Sequence, residues 1–198
     1  MLKYQGKGVY GAVAVGKISV FKRQDVQVRR EKTEDTASEL KRLEDAKTAA
    51  IAQLQEIYEK ALREVGEANA AIFEIHMMMV EDEDYNDAIT EMITTQNVNA
   101  EYAVAITGDN FAEMFSAMDD AYMQARSADV RDISNRIISC LTNGGSTETQ
   151  SDEPVIICAD DLAPSETVTL DKDKVLAFVT AHGSSNSHTA ILARNMNI

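Results

Sequence analysis

The sequence predicts an α/β domain made from both ends of the chain, with a helical bundle inserted through it. Three observations carry that prediction. The first 21 residues read as short strands with glycine turns, residues 154–159 and 175–180 are apolar strand-like runs, and four stretches between them repeat apolar residues every three or four positions. The boundaries follow as 1–30 for the first part of the α/β domain, 31–145 for an inserted four-helix subdomain and 146–198 for the second part.

In chain order, Gly6, Gly8, Gly11 and Gly16 punctuate a segment containing Val13, Val15, Ile18 and Val20, which predicts one or two short strands. From about Thr36 the apolar positions Leu40, Leu43, Lys47 or Ala50, Leu54, Ile57, Leu62 and Val65 predict a long helix stopped by Gly66. A second run holds Ala70, Ile72, Phe73, Ile75, Met79 and Val80. Glu81-Asp82-Glu83-Asp84 then predicts a kink or short reversal before Tyr85, Ala88, Ile89, Met92 and Ile93 resume. A third run, about 100–125, turns Tyr102, Ala103, Ile106, Phe111, Met114, Phe115, Met118 and Tyr122 inward, although Gly108 and Asp109 weaken its first half. The fourth places Val130, Ile133, Ile137 and Leu141 on one face before Asn143-Gly144-Gly145 ends it. Four amphipathic elements in series can close around one core.

Between the two apolar runs, residues 161–167 predict a loop entering a short helical turn. Residues 189–196 fit a helix facing the core through Ile191, Leu192 and Met196. An α/β layer needs further strands to bury that helix, so the chain reads as a fragment truncated toward its carboxyl end.

The chemistry concentrates at the start of that helix. In Thr180-Ala181-His182-Gly183-Ser184-Ser185-Asn186-Ser187-His188-Thr189, a polar loop delivers an imidazole to a helix N-terminus. A neutral imidazole can attack phosphorus through its free ring nitrogen and pass the phosphoryl group on. Ser187 or Asn186 can cap the helix, and the helix amides favour a bound anion. Ser184, Ser185, Ser187 and Thr189 can add donors, while Gly183 permits a close turn. The alternative is a capping loop whose His188 merely occupies the first helical turn. His182, nearer the strand end, is a candidate second acid or base or an exposed residue, and with His188 it gives no recognised metal spacing. His76, among Ile75, Met77, Met78 and Met79, reads as a partly buried helix residue or as one that bridges helices or orients a partner.

Composition narrows the function classes. The net charge of -14 repels a phosphate backbone and disfavours nucleic acid, while it can attract a basic protein surface. No apolar run reaches the roughly 18 residues of a membrane span and no signal-peptide pattern opens the chain, so a cytoplasmic location without membrane association is expected. Cys140 and Cys158 are too far apart to read as a redox or zinc pair. Gly6-Lys7-Gly8-Val9-Tyr10-Gly11 lacks the strand-then-helix setting of a dinucleotide loop, so no nucleotide cofactor is expected.

Residues 161–167, 174–180 and 186–194 resemble the phosphohistidine region of Enzyme I of the phosphoenolpyruvate:sugar phosphotransferase system. Ala71-Ile72-Phe73-Glu74-Ile75-His76, Glu81-Asp82-Glu83 and Ala128-Asp129-Val130-Arg131-Asp132-Ile133 resemble the helical subdomain of that family. The resemblance covers essentially the whole chain. It implies a swivelling phosphohistidine domain and transfer from phosphoenolpyruvate to His188 Nε2, then to a histidine of the small carrier HPr. It implies that Thr167 bonds the imidazole or the phosphate, and that Glu67, His76, Met78, Asp82, Glu83, Asp129 and Arg131 contact HPr. Mg²⁺ and phosphoenolpyruvate would bind in a barrel outside this chain, through which the family dimerises; the fragment alone would be a monomer that exchanges phosphate with HPr.

One departure stands out. The family reads Gly-Gly-Arg-Thr-Ser-His where this chain has Gly183-Ser184-Ser185-Asn186-Ser187-His188, so a bidentate phosphate partner is missing at Ser185, and His182 can replace part of its charge. That departure motivates a second expectation, an acidic module that binds HPr or a related carrier without efficient transfer. A fragment of a pyruvate phosphate dikinase or phosphoenolpyruvate synthase, which share the Ser-His-Thr-Ala signature, is the third.

Overall fold

The computed structural model describes residues 4–21, 27–142, 153–183 and 188–198, with backbone alone at Ala121 and His188. Strand β1 (Lys17–Val20) precedes five helices, α1 (Thr36–Val65), α2 (Glu67–Val80), α3 (Glu83–Gln96), α4 (Ala100–Ser116) and α5 (Ala121–Leu141). Then follow β2 (Val155–Ala159), α6 (Pro164–Thr169), β3 (Val175–Thr180) and α7 (His188–Asn195). The sheet is parallel in the order β1-β2-β3, with Lys17 opposite Val155, Val20 opposite Cys158 and Ala159 opposite Thr180. Because β1 pairs directly with β2, the five helices between them are an insertion into an α/β layer built from both ends, as the sequence predicts.

The long α1 is set by its apolar stripe. Leu43, Ala46, Ala50, Leu54, Ile57 and Ala61 repeat at three and four residues and are all buried. Asp35 caps it by accepting from the Ser38 amide at 3.0 Å, and Gly66, at φ 82, breaks the chain into α2. Against that stripe pack α2 and α5, while α4 lies along α5. The α4–α5 approach depends on Gly108: a Cβ there would overlap Ser134 Oγ and stand 2.8 Å from Ser134 Cβ. Ser134 Oγ in turn lies 2.7 Å from the buried Tyr85 hydroxyl. The glycine that weakened the helical reading is therefore what lets two helices touch.

Several expectations change. Among the described residues the insertion holds five helices rather than four, because the reversal expected at 81–84 is a full break: Asp82 accepts from the Tyr85 amide at 2.9 Å and starts α3 anew. The third run ends at Ser116, since Asp120 accepts from the Tyr122 and Met123 amides at 2.8 and 3.0 Å and starts α5. Tyr122 thus belongs to α5 and is 64% exposed, Met114 is 48% exposed, and Ala61 rather than Leu62 faces the core. Of the one or two strands expected near the amino end, one, at 17–20, forms among the described residues, and Val13 and Val15 are exposed. Asn143, Gly144 and Gly145 lie outside the described residues.

Two cores result. The larger, within the helices, also takes in Val168 of α6 and Leu192 of α7; the smaller gathers Val155, Ile157, Leu170 and Val175 at the sheet. Helices α6 and α7 therefore sit at the junction between bundle and sheet. Among the described residues no helix is long and apolar enough to cross a membrane.

Candidate functional site

The junction is built around α6. Pro164 occupies its first turn, and Glu166 Oε2 accepts from the Ala163 amide at 2.7 Å, which closes the N-terminus. Thr167 is fully buried, and both its amide and its Oγ1 donate to the Ala163 carbonyl at 3.0 Å. The hydroxyl proton is thereby committed, while its lone pairs remain able to accept. At the other end, Lys60 Nζ of α1 donates to the Thr169 and Leu170 carbonyls at 3.2 and 3.3 Å, a cation where the helix dipole favours one.

His188 is the first residue of α7, which packs on α6. Thr189 Oγ1 donates to the Leu162 carbonyl at 2.6 Å, tying the first turn of α7 to the loop that enters α6. The structure thus brings the His188 end of α7 and Thr167 to one junction. His182 is exposed after β3, with its amide bonded to the Asp160 carbonyl at 2.9 Å. Gly183 follows at φ 112, a conformation a glycine adopts freely. Ser184, Ser185, Asn186 and Ser187 lie outside the described residues.

The expected carrier contacts divide. Glu67 opens α2 and Glu83 opens α3, both exposed, and Met78 is 69% exposed. Asp82 is exposed while capping α3, and Arg131 Nη1 bonds Asp109 Oδ1 at 2.8 Å on the surface. His76 and Asp129 are corrected: they are 0% and 3% exposed and face each other inside, Nε2 to Oδ1 at 3.3 Å. Helix α2 lies between α1 and α5, and that packing turns His76 away from the surface.

The same imidazole leads to residues that sequence reasoning missed. His76 Nδ1 is 3.6 Å from Asp132 Oδ2, and Asp132 Oδ1 accepts from Ser165 Oγ of α6 at 3.0 Å. Burial pushes the Asp132 carboxyl above the ordinary carboxylate range, against the opposing pull of His76, Arg136 and the Ser165 hydroxyl; Glu166 adds to the rise. The three-residue spacing of Asp129 and Asp132 was a signal of one shared helix face, but nothing local shows what that face meets. Among the described residues no group of three or more His, Cys, Asp or Glu is arranged to hold a metal ion.

Comparison with known proteins agrees with this architecture. The family described as PEP-utilising enzyme, N-terminal matches residues 5–126, and PEP-utilising enzyme, mobile domain matches residues 151–198. The phosphoenolpyruvate-protein phosphotransferase of Enterococcus faecalis is 41% identical over 201 residues, covering 100% of this chain and 34% of that protein. That of Bacillus subtilis is 34% identical over 199 residues, covering 100% and 35%. The chain thus spans about a third of the length of these curated relatives. A solution structure of Enzyme I (nEIt) superposes with a TM-score of 0.76 at 34% identity, covering 93% of this chain and 76% of that one. A structure of the N-terminal domain of Enzyme 1 - Nitrogen gives a TM-score of 0.68 at 25% identity, covering 96% and 79%. On these matches, and on a helical insertion between adjacent parallel strands, the chain belongs to the PEP-utilising enzyme family and, within it, to the Enzyme I N-terminal domains.

Proposed function

We propose that this chain is the part of an Enzyme I that carries the phosphoryl group on His188 and exchanges it with HPr. The observation that carries the proposal is Thr167: a buried hydroxyl, its proton already given to the Ala163 carbonyl, on the helix packed against the one that His188 opens. An imidazole whose Nδ1–H donates to Thr167 Oγ1 keeps Nε2 unprotonated and available as the nucleophile. In the forward direction Nε2 attacks phosphorus of phosphoenolpyruvate, and the bond from phosphorus to the enol oxygen breaks with release of the pyruvate enolate. A histidine of HPr then attacks phosphorus, and the bond to His188 Nε2 breaks.

The phosphoenolpyruvate step, with its Mg²⁺, belongs to the remaining two thirds of such an enzyme. The helical insertion is the HPr platform, through exposed Glu67, Met78, Asp82, Glu83 and Arg131, and the excess of acid steers a basic carrier toward it. The whole acts in the cytoplasm, and this part is monomeric without its dimerising barrel. Similarity to Enzyme I domains along nearly the full chain supports this reading over a dikinase or synthase fragment.

The test mixes the chain with HPr labelled on its phosphohistidine. Acid-labile label passes to the wild type and not to His188→Ala of equal thermal stability. Label on both variants sinks the assignment of His188; tight HPr binding with no transfer to the wild type favours the acidic docking module instead.

A further inference from the structure

A polar seam joins the helical insertion to α6. His76 of α2 stands between two carboxylates of α5, Asp129 and Asp132, at 3.3 and 3.6 Å, with the edge of Phe73 against its ring. Arg126 Nη1 lies 3.4 Å from Asp129 Oδ2, and Arg136 and Glu166 are the other charges acting on Asp132. From α6, Ser165, only 1% exposed, donates to Asp132 Oδ1 at 3.0 Å.

Contact alone does not call for this chemistry. Buried ionisable groups are often replaced by apolar ones with no loss of stability, and here both His76 nitrogens and Asp132 Oδ2 lack an aligned hydrogen bond. A hydrogen bond does what apolar contact does not: it fixes direction. Two residues beyond Ser165 is Thr167, and α6 also packs on α7.

We propose that Asp132 is a positioning residue for phosphoryl transfer: through Ser165 it holds α6 on the helical insertion and so sets Thr167 relative to the His188 end of α7. This rests on the transfer function proposed above. The seam acts on the geometry of the transfer step rather than on HPr docking, because its members are buried and the expected docking residues Glu67, Glu83 and Met78 are exposed.

Asp132→Ala and Ser165→Ala each remove the bond, while Asp132→Asn keeps an oxygen that can accept from Ser165. Rapid-quench exchange from phosphorylated HPr should show the transfer rate within the complex about tenfold lower in either alanine variant, with HPr affinity within about twofold of wild type. The double variant should be no slower than the singles, since both remove one bond, and Asp132→Asn should recover most of the rate. Backbone amide exchange gives a readout that needs no transfer: the Thr167 amide, bonded to the Ala163 carbonyl, should exchange about tenfold faster in Asp132→Ala while α4 amides are unchanged. Folded alanine variants with wild-type transfer and wild-type Thr167 protection would overturn the proposal, as would a rate loss matched by lost HPr affinity. A wild type that takes no phosphoryl group overturns the functional reading and the role in transfer; exchange at Thr167 then still reports whether Asp132 holds α6.

Discussion

Replacing Thr167 with valine separates the chemical role of its hydroxyl from its place in the core. The side chain is fully buried, so valine preserves nearly all of its volume and leaves no cavity. The hydroxyl is redundant for α6 itself: the Ala163 carbonyl that it bonds at 3.0 Å also accepts the Thr167 amide at 3.0 Å, so no buried acceptor is stranded. Loss of one neutral hydrogen bond of this kind should cost about 1 kcal/mol of folding stability or less. On the proposed role the His188 imidazole would lose its acceptor, however, and with it the preference for the tautomer that leaves Nε2 free. A bond worth about 1.5–3 kcal/mol when its partner gains charge corresponds to a transfer rate about 10- to 150-fold lower. Urea unfolding measures the first quantity and rapid-quench transfer from phosphorylated HPr the second. Transfer within twofold of wild type would refute the orienting role, and a stability loss above about 3 kcal/mol would make the hydroxyl a structural group instead.

Gly108→Ala should destabilise the protein by roughly 1–3 kcal/mol, because overpacking against Ser134 and disturbance of its bond to Tyr85 outweigh about 1 kcal/mol of helix propensity gained. Adding Ser134→Gly should recover part of that loss in urea unfolding; an alanine that stabilises would contradict the close α4–α5 approach. Glu83→Lys should weaken HPr association several-fold at low salt and much less at high salt, as an exposed steering charge does; equal loss at every ionic strength would place Glu83 elsewhere in the interaction. For Asp132 the sign follows from its raised carboxyl: the native state prefers the neutral acid, so wild type should lose stability relative to Asp132→Asn as pH rises from the ordinary value of 3.8 through the higher native one, then level off. A wild type that instead gains on the asparagine variant over that range would reverse the argument.

The parts of this fold that could be read from the chain are those where one local signal dominates. The run at 175–180 is apolar up to Thr180 and forms β3, and the stripe of α1 closed by Gly66 gives a helix of the expected extent. The acidic run at 81–84 marked its own break, where Asp82 starts α3, but apolar periodicity failed at Asp120, whose side chain starts a new helix inside a continuing pattern. It also failed on α2. Ile72, Phe73, Ile75, Met77, Met78 and Met79 make that helix apolar nearly all round, so no sequence pattern says that His76 faces inward and Met78 outward. The seam from His76 to Ser165 joins residues 89 positions apart on three helices, and only the packing of α2 and α6 against α5 brings them together. His188 and Thr167 are candidates through motif resemblance alone, while the packing of α6 on α7 is a property of the fold.

The most direct test of the central claim locates the phosphoryl group by nitrogen and phosphorus NMR on the chain after reaction with phosphorylated HPr. The account predicts one phosphoramidate, on Nε2 of His188, formed in wild type and absent from His188→Ala. A phosphoramidate on His182 or His76, or on Nδ1 of His188, would contradict it.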